Sequence, residues 1–132
     1  ADEEGKVLVK WPGEVGGKDL VLSRLKNCTV YVCDACGAVR ADRLEGCRVL
    51  LGPVRSVLAE ALVGCWLSVA AQQLRVHSST DCDFMVRMRS GPIIEHSSRL
   101  RFAPYNFTYP ALTQQLAALA LDADNGTWCK VE

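Results

Sequence analysis

Three polar side chains alternate along one short segment of this chain: Gln73, Arg75 and His77, within Gln-Gln-Leu-Arg-Val-His. A spacing of two places side chains on one face of a β-strand, so an amide, a guanidinium and an imidazole project in a row. A guanidinium can donate paired hydrogen bonds to phosphate or carboxylate oxygens. From spacing alone, we expect Arg75 to pair instead with Glu60 on the neighbouring strand, as a surface ion pair contributing about 0 to 1 kcal/mol.

The other candidate sites have weaker support. Cys33-Asp34-Ala35-Cys36 is a single CxxC, whereas zinc sites normally need a second pair of ligands, so we interpret it as a turn and predict no metal site. Asp81 and Asp83 have the pairing of a carbohydrate-cleaving carboxylate site, but we interpret them as solvated side chains. The sequence has no Gly-rich phosphate loop and no nucleophile elbow, which leaves intrinsic nucleotide binding and covalent hydrolysis unsupported.

A sequence repeat indicates the elements that must position these side chains. Four cysteines are separated by 19, 18 and 17 residues: Cys28, Cys47, Cys65 and Cys82. Apolar residues recur two and four positions after each cysteine, and eight and six positions before it. Three positions before, leucine stands in the first three units and Ser79 in the fourth. Steps of two indicate strands, and a unit of about 18 residues is too short for a helical repeat of about 34 residues.

The repeat predicts an all-β solenoid, and the fold we expect is a right-handed parallel β-helix with a short C-terminal helical cap. Recurring positions should point inward and stack about 4.8 Å apart, and the cysteines should be reduced thiols in the core. We expect one domain over residues 1–132, with a lead-in over 1–17, coils over 18–103, and a cap and tail over 104–132. A fifth coil is expected with Ser98 in the cysteine's place and a one-residue slip near Gly91 to Ile94.

Three further elements are predicted at the two ends of the chain. Val7 to Trp11 should form a strand that stops at Pro12-Gly13. Leu112, Leu116 and Leu119 have helical spacing, and that helix could cover the exposed end of the solenoid. Asn125-Gly126 predicts a turn, and Thr127 to Val131 a last strand.

Composition excludes several classes of partner. The 132 residues carry fifteen Lys and Arg against fifteen Asp and Glu, with a pI near 6.9, so neither nucleic acid nor an anionic membrane surface is an expected partner. No apolar run approaches the roughly 18 residues of a membrane span. The chain begins without Met and stops abruptly at Glu132, as an excised domain would.

At the level of whole motifs, the sequence closely resembles the C-terminal domain of the tubulin-binding cofactor C family. The resemblance covers Leu20 to Val131 and is carried by three runs: Ala71-Gln72-Gln73-Leu74-Arg75-Val76-His77-Ser78, Gly91-Pro92-Ile93-Ile94-Glu95, and Phe102-Ala103-Pro104-Tyr105. The family includes the retinitis pigmentosa 2 protein, which acts on an Arf-like small GTPase. Phe-Ala-Pro-Tyr followed by Tyr109-Pro110 resembles cofactor C more than this cousin.

The resemblance implies a GTPase activator rather than an enzyme with its own active site. Its expected partners are β-tubulin or the αβ-tubulin heterodimer, together with tubulin cofactors D and E. The family's arginine finger falls on Arg75, and its glutamine pair on Gln72 and Gln73. Glu95 matches the acidic residue of the Ile-Ile-Glu motif, which could hold the guanidinium extended. Arg75 is thus the candidate catalytic residue, and the candidate partner-binding residues are Gln72, Gln73, His77 and Glu95.

The same resemblance implies no cofactor of the chain's own, because the partner binds GTP and Mg²⁺. It also implies a monomer in the cytoplasm, associated with the cytoskeleton. Two alternatives stay open: activation of an Arf-like small GTPase, and a non-catalytic cytoskeletal scaffold.

Overall fold

The computed structural model describes residues 3–11, 13–88, 91–107, 109 and 112–119. This part of the chain contains ten β-strands and one α-helix: β1 Glu3–Glu4, β2 Val7–Lys10, β3 Leu20–Lys26, β4 Thr29–Val32, β5 Cys36–Glu45, β6 Arg48–Glu60, β7 Trp66–His77, β8 Thr80–Met88, β9 Ile93–Glu95, β10 Ser98–Pro104 and α1 Leu112–Ala118.

Every pairing between these strands is parallel, and successive partners come from successive coils, which confirms the predicted β-solenoid. What we call the first face runs through β1, β3, β5, the second halves of β6 and β7, and β9. The second face runs through β2, β4, the first halves of β6 and β7, then β8 and β10. The short strands of the two faces therefore enclose one continuous hydrophobic core.

The repeating cysteines form an inward column, as predicted, and each is at most 2% exposed. Each of the four thiols donates a hydrogen bond, 3.4 to 3.5 Å long, to the backbone oxygen two residues earlier. Cysteine suits this position because it is small and apolar and carries a weak donor that can satisfy a carbonyl at the corner of a coil.

The six described cysteines are reduced thiols, as expected. Burial raises the pKa of Cys47. Burial, followed by the nearby charge of Asp34, raises the pKa of Cys36 to about 11. Cys36 and Cys47 therefore stay protonated near neutral pH and act as packing groups.

Two corners of each coil carry a residue with left-handed backbone. At the first corner φ is between 51° and 57°, at Arg24, Arg43, Ala61, Ser78 and His96. At the second corner φ is between 53° and 62°, at Asn27, Gly46, Gly64, Asp81 and Arg99. Few of these residues are the Gly or Asn that usually mark such conformations, so turn signals in the sequence did not reveal the corners.

The fifth coil is regular, and its predicted register was wrong by two residues. Leu100, not Ser98, lies opposite Cys82, and Phe102 lies opposite Phe84 with the two rings stacked at 5.3 Å. With Leu100 in the cysteine's place, Ile94 falls opposite Val76 at the spacing of the other coils, and no slip is needed. The larger side chains let Leu100 and Phe102 pack against the buried core.

Two strands precede residue 18, since β1 pairs with β3 and β2 pairs with β4. The strand predicted from Val7 is confirmed as β2. Pro12, the Asn125-Gly126 turn and the strand predicted over Thr127 to Val131 lie outside the described residues. Within the described chain, no helix is long and apolar enough to cross a membrane.

The predicted C-terminal helix is present, but its expected position over the end of the solenoid was wrong. It lies along the side of the coils, where Leu112 and Leu116 bury against Ala70. Gln115 Nε2 donates to Asp34 Oδ1 at 3.2 Å, and the Tyr109 hydroxyl donates to Gln115 Oε1. Gly52 permits this approach, because a Cβ there would collide with the Tyr109 hydroxyl.

Asp34 connects three segments of the chain. Its Oδ2 accepts hydrogen bonds from the backbone N–H groups of Val15 at 2.9 Å and Gly16 at 2.8 Å, while its Oδ1 accepts from Gln115. Burial alone would raise the pKa of Asp34, but the backbone donors outweigh it and lower the pKa below its ordinary value. The ionised carboxylate thus stabilises the fold.

We expect Leu67→Asp to abolish folding, because Leu67 is fully buried and the new carboxylate would have no partner in the core. The predicted loss in free energy of unfolding is above about 4 kcal/mol, measured by urea denaturation. The control is Val21→Asp, at a position 65% exposed, which should cost less than about 1 kcal/mol. A folded Leu67→Asp protein as stable as this control would contradict the inward assignment.

Asp34 should make stability depend on pH. A lowered pKa in the folded state contributes stability that is present above the unfolded-state value and is lost as the pH falls through the folded-state value. Wild type should therefore lose more free energy of unfolding than Asp34→Asn between about pH 5 and pH 2. Parallel pH profiles for the two proteins would show that Asp34 is not a net stabilising charge.

Candidate functional site

The segment predicted to carry the chemistry lies on the outer surface of the first face. In β7, Leu74 and Val76 are buried in the core at 1% exposure each. Strand alternation therefore turns Gln73, Arg75 and His77 outward, and the structure leaves Gln73 and Arg75 exposed and His77 half-buried. The interior packing thus fixes the direction in which Arg75 points.

Register across the coils arranges these side chains into two outward rows. The row that we call the Arg75 row contains, from coil to coil, Val21, Arg40, Leu58, Arg75 and Ile93. Two residues further along each strand lies the Glu60 row, which contains Ser23, Asp42, Glu60, His77 and Glu95. A row of aliphatic and guanidinium groups thus runs beside a row rich in carboxylates and imidazole.

The expected ion pair between Arg75 and Glu60 was wrong. Glu60 Oε1 instead accepts from Arg40 Nη2 at 3.4 Å, and Glu60 Oε2 lies 3.8 Å from His77 Nδ1. Across the described residues, the Arg75 guanidinium makes neither a hydrogen bond nor an ion pair. Arg75 is exposed, and its guanidinium carries five N–H donors.

His77 lies in a small cluster that sequence analysis missed. Its ring meets the His96 ring edge to face at 5.4 Å, and Ser78 Oγ is 3.0 Å from His77 Nδ1. The left-handed corners at Ser78 and His96 bring these groups together across adjacent coils. A sequence signal did exist, since Ser78 and His96 are separated by the 18 residues of the repeat.

Glu95 is exposed on the same face, but it lies opposite His77, while Ile93 lies opposite Arg75. The structure therefore brings Glu95 into the neighbourhood of Arg75 without an ion pair between them.

Gln72 points away from its neighbour Gln73. Its side chain is half-buried, and its Nε2 donates a 3.1 Å hydrogen bond to the backbone oxygen of Leu119, just beyond α1. Gln73, by contrast, is exposed beside Arg75. The structure thus separates the two glutamines, with Gln72 holding the end of the helix against the coil.

The remaining candidate sites have structural explanations. Asp81 pairs with Arg99 at 2.7 Å and Asp83 pairs with Arg101, each across adjacent coils, so both carboxylates are engaged on the surface. The segment between Cys33 and Cys36 is a bend occupied by Asp34. Among the described residues, no cluster of three or more His, Cys, Asp or Glu side chains could hold a metal ion.

This geometry suits one kind of chemistry in particular. A guanidinium on a packed strand, with no partner among the described residues, can donate two parallel hydrogen bonds to an anionic group on another molecule.

Residues 17–132 match the family model described as tubulin binding cofactor C. The chain belongs to the tubulin binding cofactor C family. It is 38% identical to tubulin-specific chaperone C of Mus musculus and 35% identical to tubulin-folding cofactor C of Arabidopsis thaliana, over 98% and 99% of this chain and 38% of each relative.

One further relative and one solved structure also match this chain. Protein XRP2 of Homo sapiens is 31% identical over 91% of this chain and 35% of its own length. The solved structure of tubulin binding cofactor C from Leishmania major matches with a TM-score of 0.59 and 21% identity, over 93% of this chain and 74% of that one, which supports the family fold. The chain spans less than two fifths of the length of the curated relatives described above.

Gln72 and Gln73 offer a matched test of this site. Gln72→Ala should lower the free energy of unfolding by about 0.5 to 1.5 kcal/mol, because it removes the hydrogen bond to Leu119. Gln73→Ala should change it by less than about 0.5 kcal/mol, because that amide is exposed. Urea denaturation measures both, and equal losses would contradict the division of roles.

Proposed function

We propose that this chain stimulates GTP hydrolysis by tubulin and acts in tubulin folding, with Arg75 as an arginine finger. The observation that carries the proposal is the exposed guanidinium of Arg75, which is held on a packed strand and has no partner among the described residues. The printed names of its relatives, tubulin-specific chaperone C and tubulin-folding cofactor C, support tubulin as the partner.

The chemical argument starts from the transition state. GTP hydrolysis develops negative charge on phosphoryl oxygens, and a guanidinium inserted in trans stabilises that charge through paired hydrogen bonds. Strand packing fixes the backbone of β7 and directs the Arg75 side chain outward, so the guanidinium is already on the surface that would meet the partner. Lysine would supply the charge without the planar fork.

In this proposal the chain has no active site of its own. Tubulin holds GTP and Mg²⁺, cofactors D and E act with the chain, and Gln73, His77 and Glu95 contact the partner around Arg75. The half-buried Gln72 acts indirectly, by securing α1. A tubulin partner implies a cytoplasmic, cytoskeleton-associated chain, which we propose acts as a monomer.

An Arf-like small GTPase is the alternative partner. The chain is 31% identical to protein XRP2, so the family includes members other than tubulin cofactors. We therefore retain an Arf-like GTPase as a second candidate partner. The same arginine would act in both cases. Side-by-side turnover assays with tubulin and with an Arf-like GTPase separate the two.

Arg75→Ala should lower the stimulated rate of GTP hydrolysis by about a thousandfold or more, the scale of a finger's effect. Arg75→Lys should recover only part of the rate. The assay is single-turnover GTP hydrolysis by tubulin with cofactors D and E present. The control is Arg101→Ala, which removes another exposed guanidinium, on the second face, and should leave the rate unchanged.

A binding measurement on the same variants separates a finger from a scaffold. A finger variant keeps most of its affinity for the partner while it loses turnover, whereas a scaffold variant loses both together. Full stimulation by Arg75→Ala would refute the proposal.

A further inference from the structure

Glu60 lies between two arginines that are placed symmetrically about it. Arg40 in β5 and Arg75 in β7 both lie opposite Leu58 in β6, and Glu60 follows Leu58 by two residues. Arg40 and Arg75 are therefore both diagonal to Glu60, each on a strand next to β6. Strand spacing and rise put such diagonal Cα atoms about 8 Å apart, within the combined reach of Arg and Glu side chains.

In the structure, Glu60 pairs with Arg40 and not with Arg75. Arg40 Nη2 lies 3.4 Å from Glu60 Oε1, while His77, directly opposite Glu60, has its Nδ1 3.8 Å from Oε2. Both carboxylate oxygens thus face groups other than Arg75. The symmetric geometry predicts that Glu60 would be open to Arg75 if Arg40 were absent.

We propose that Arg40 is a positioning residue: by engaging Glu60, it leaves the Arg75 guanidinium uncommitted and available to the partner GTPase. The inference rests on the proposed function, since it concerns the state in which Arg75 meets its partner. Arg40 acts through Glu60, and only Arg75 reaches the nucleotide.

The size of the effect follows from exposure. The side chains of Arg40 and Glu60 are 55% and 36% exposed. Exposed ion pairs shift an equilibrium by at most about fivefold. Loss of Arg40 should therefore lower the population of uncommitted Arg75 by about two- to fivefold, far less than loss of Arg75 itself.

The first test measures stimulated GTP hydrolysis by tubulin at subsaturating concentrations of the 132-residue chain. Arg40→Ala should lower the rate by about two- to fivefold, and the double variant Arg40→Ala with Glu60→Gln should restore it. The loss should disappear in about 1 M salt, which screens exposed charges. Arg101→Ala is the matched control, because its 58% exposed side chain pairs with a 34% exposed carboxylate on the second face.

The second test needs no GTPase and therefore separates failure of this inference from failure of the proposed function. In NMR spectra of the chain alone, exchange of the Arg75 Nε proton with water should slow in Arg40→Ala and recover in the double variant. Unchanged exchange in Arg40→Ala would overturn the inference whatever the turnover assays show. If Arg75→Ala retains stimulation, the proposed function fails instead.

Two further outcomes also overturn the inference. One is a loss of turnover in Arg40→Ala that the double variant does not restore, since Arg40 would then act directly on the partner. The other is slowed proton exchange with unchanged turnover, since pairing to Glu60 would then be irrelevant to activation. Support requires both the turnover rescue and the exchange rescue.

Discussion

Parallel hydrogen bonding between successive coils fixes which side chains enter the interior and which leave it. Because the stacked cysteines and aliphatic residues must all point inward, each strand has one available orientation, and a shift by one residue would bury its polar side chains. In β7, the burial of Leu74 and Val76 forces Arg75 outward. The position of the guanidinium is thus a consequence of core packing and does not require a dedicated loop.

Charged side chains on the first face surround the outward Arg75. A lone outward arginine among carboxylates would normally take one as its partner, and Glu60 is within diagonal reach. Here Arg40 engages that carboxylate, and His77 lies on its other side. Among the described residues the Arg75 guanidinium pairs with neither Glu60 nor the equally diagonal Glu95, and under our proposal its donors are available to another molecule.

Much of the fold could be predicted from the sequence, because the period of the cysteines and the alternation around them report directly on inward packing. Prediction failed where the repeat changes its residues. Leu100 in place of a cysteine concealed the register of the fifth coil, and corners at Arg24 or Arg43 lack the usual turn residues. Strand alternation predicted the outward face of Arg75, but spacing alone did not decide that Glu60 pairs with Arg40 and not with Arg75.

The most direct test is a structure of the chain bound to tubulin with GDP and aluminium fluoride, which mimics the transferring phosphoryl group. Our account predicts that the Arg75 guanidinium lies about 3 Å from the fluoride ligands, within hydrogen-bond distance, with the first face of the solenoid against the nucleotide site. A complex in which another face meets tubulin, or in which Arg75 points to solvent, would contradict it.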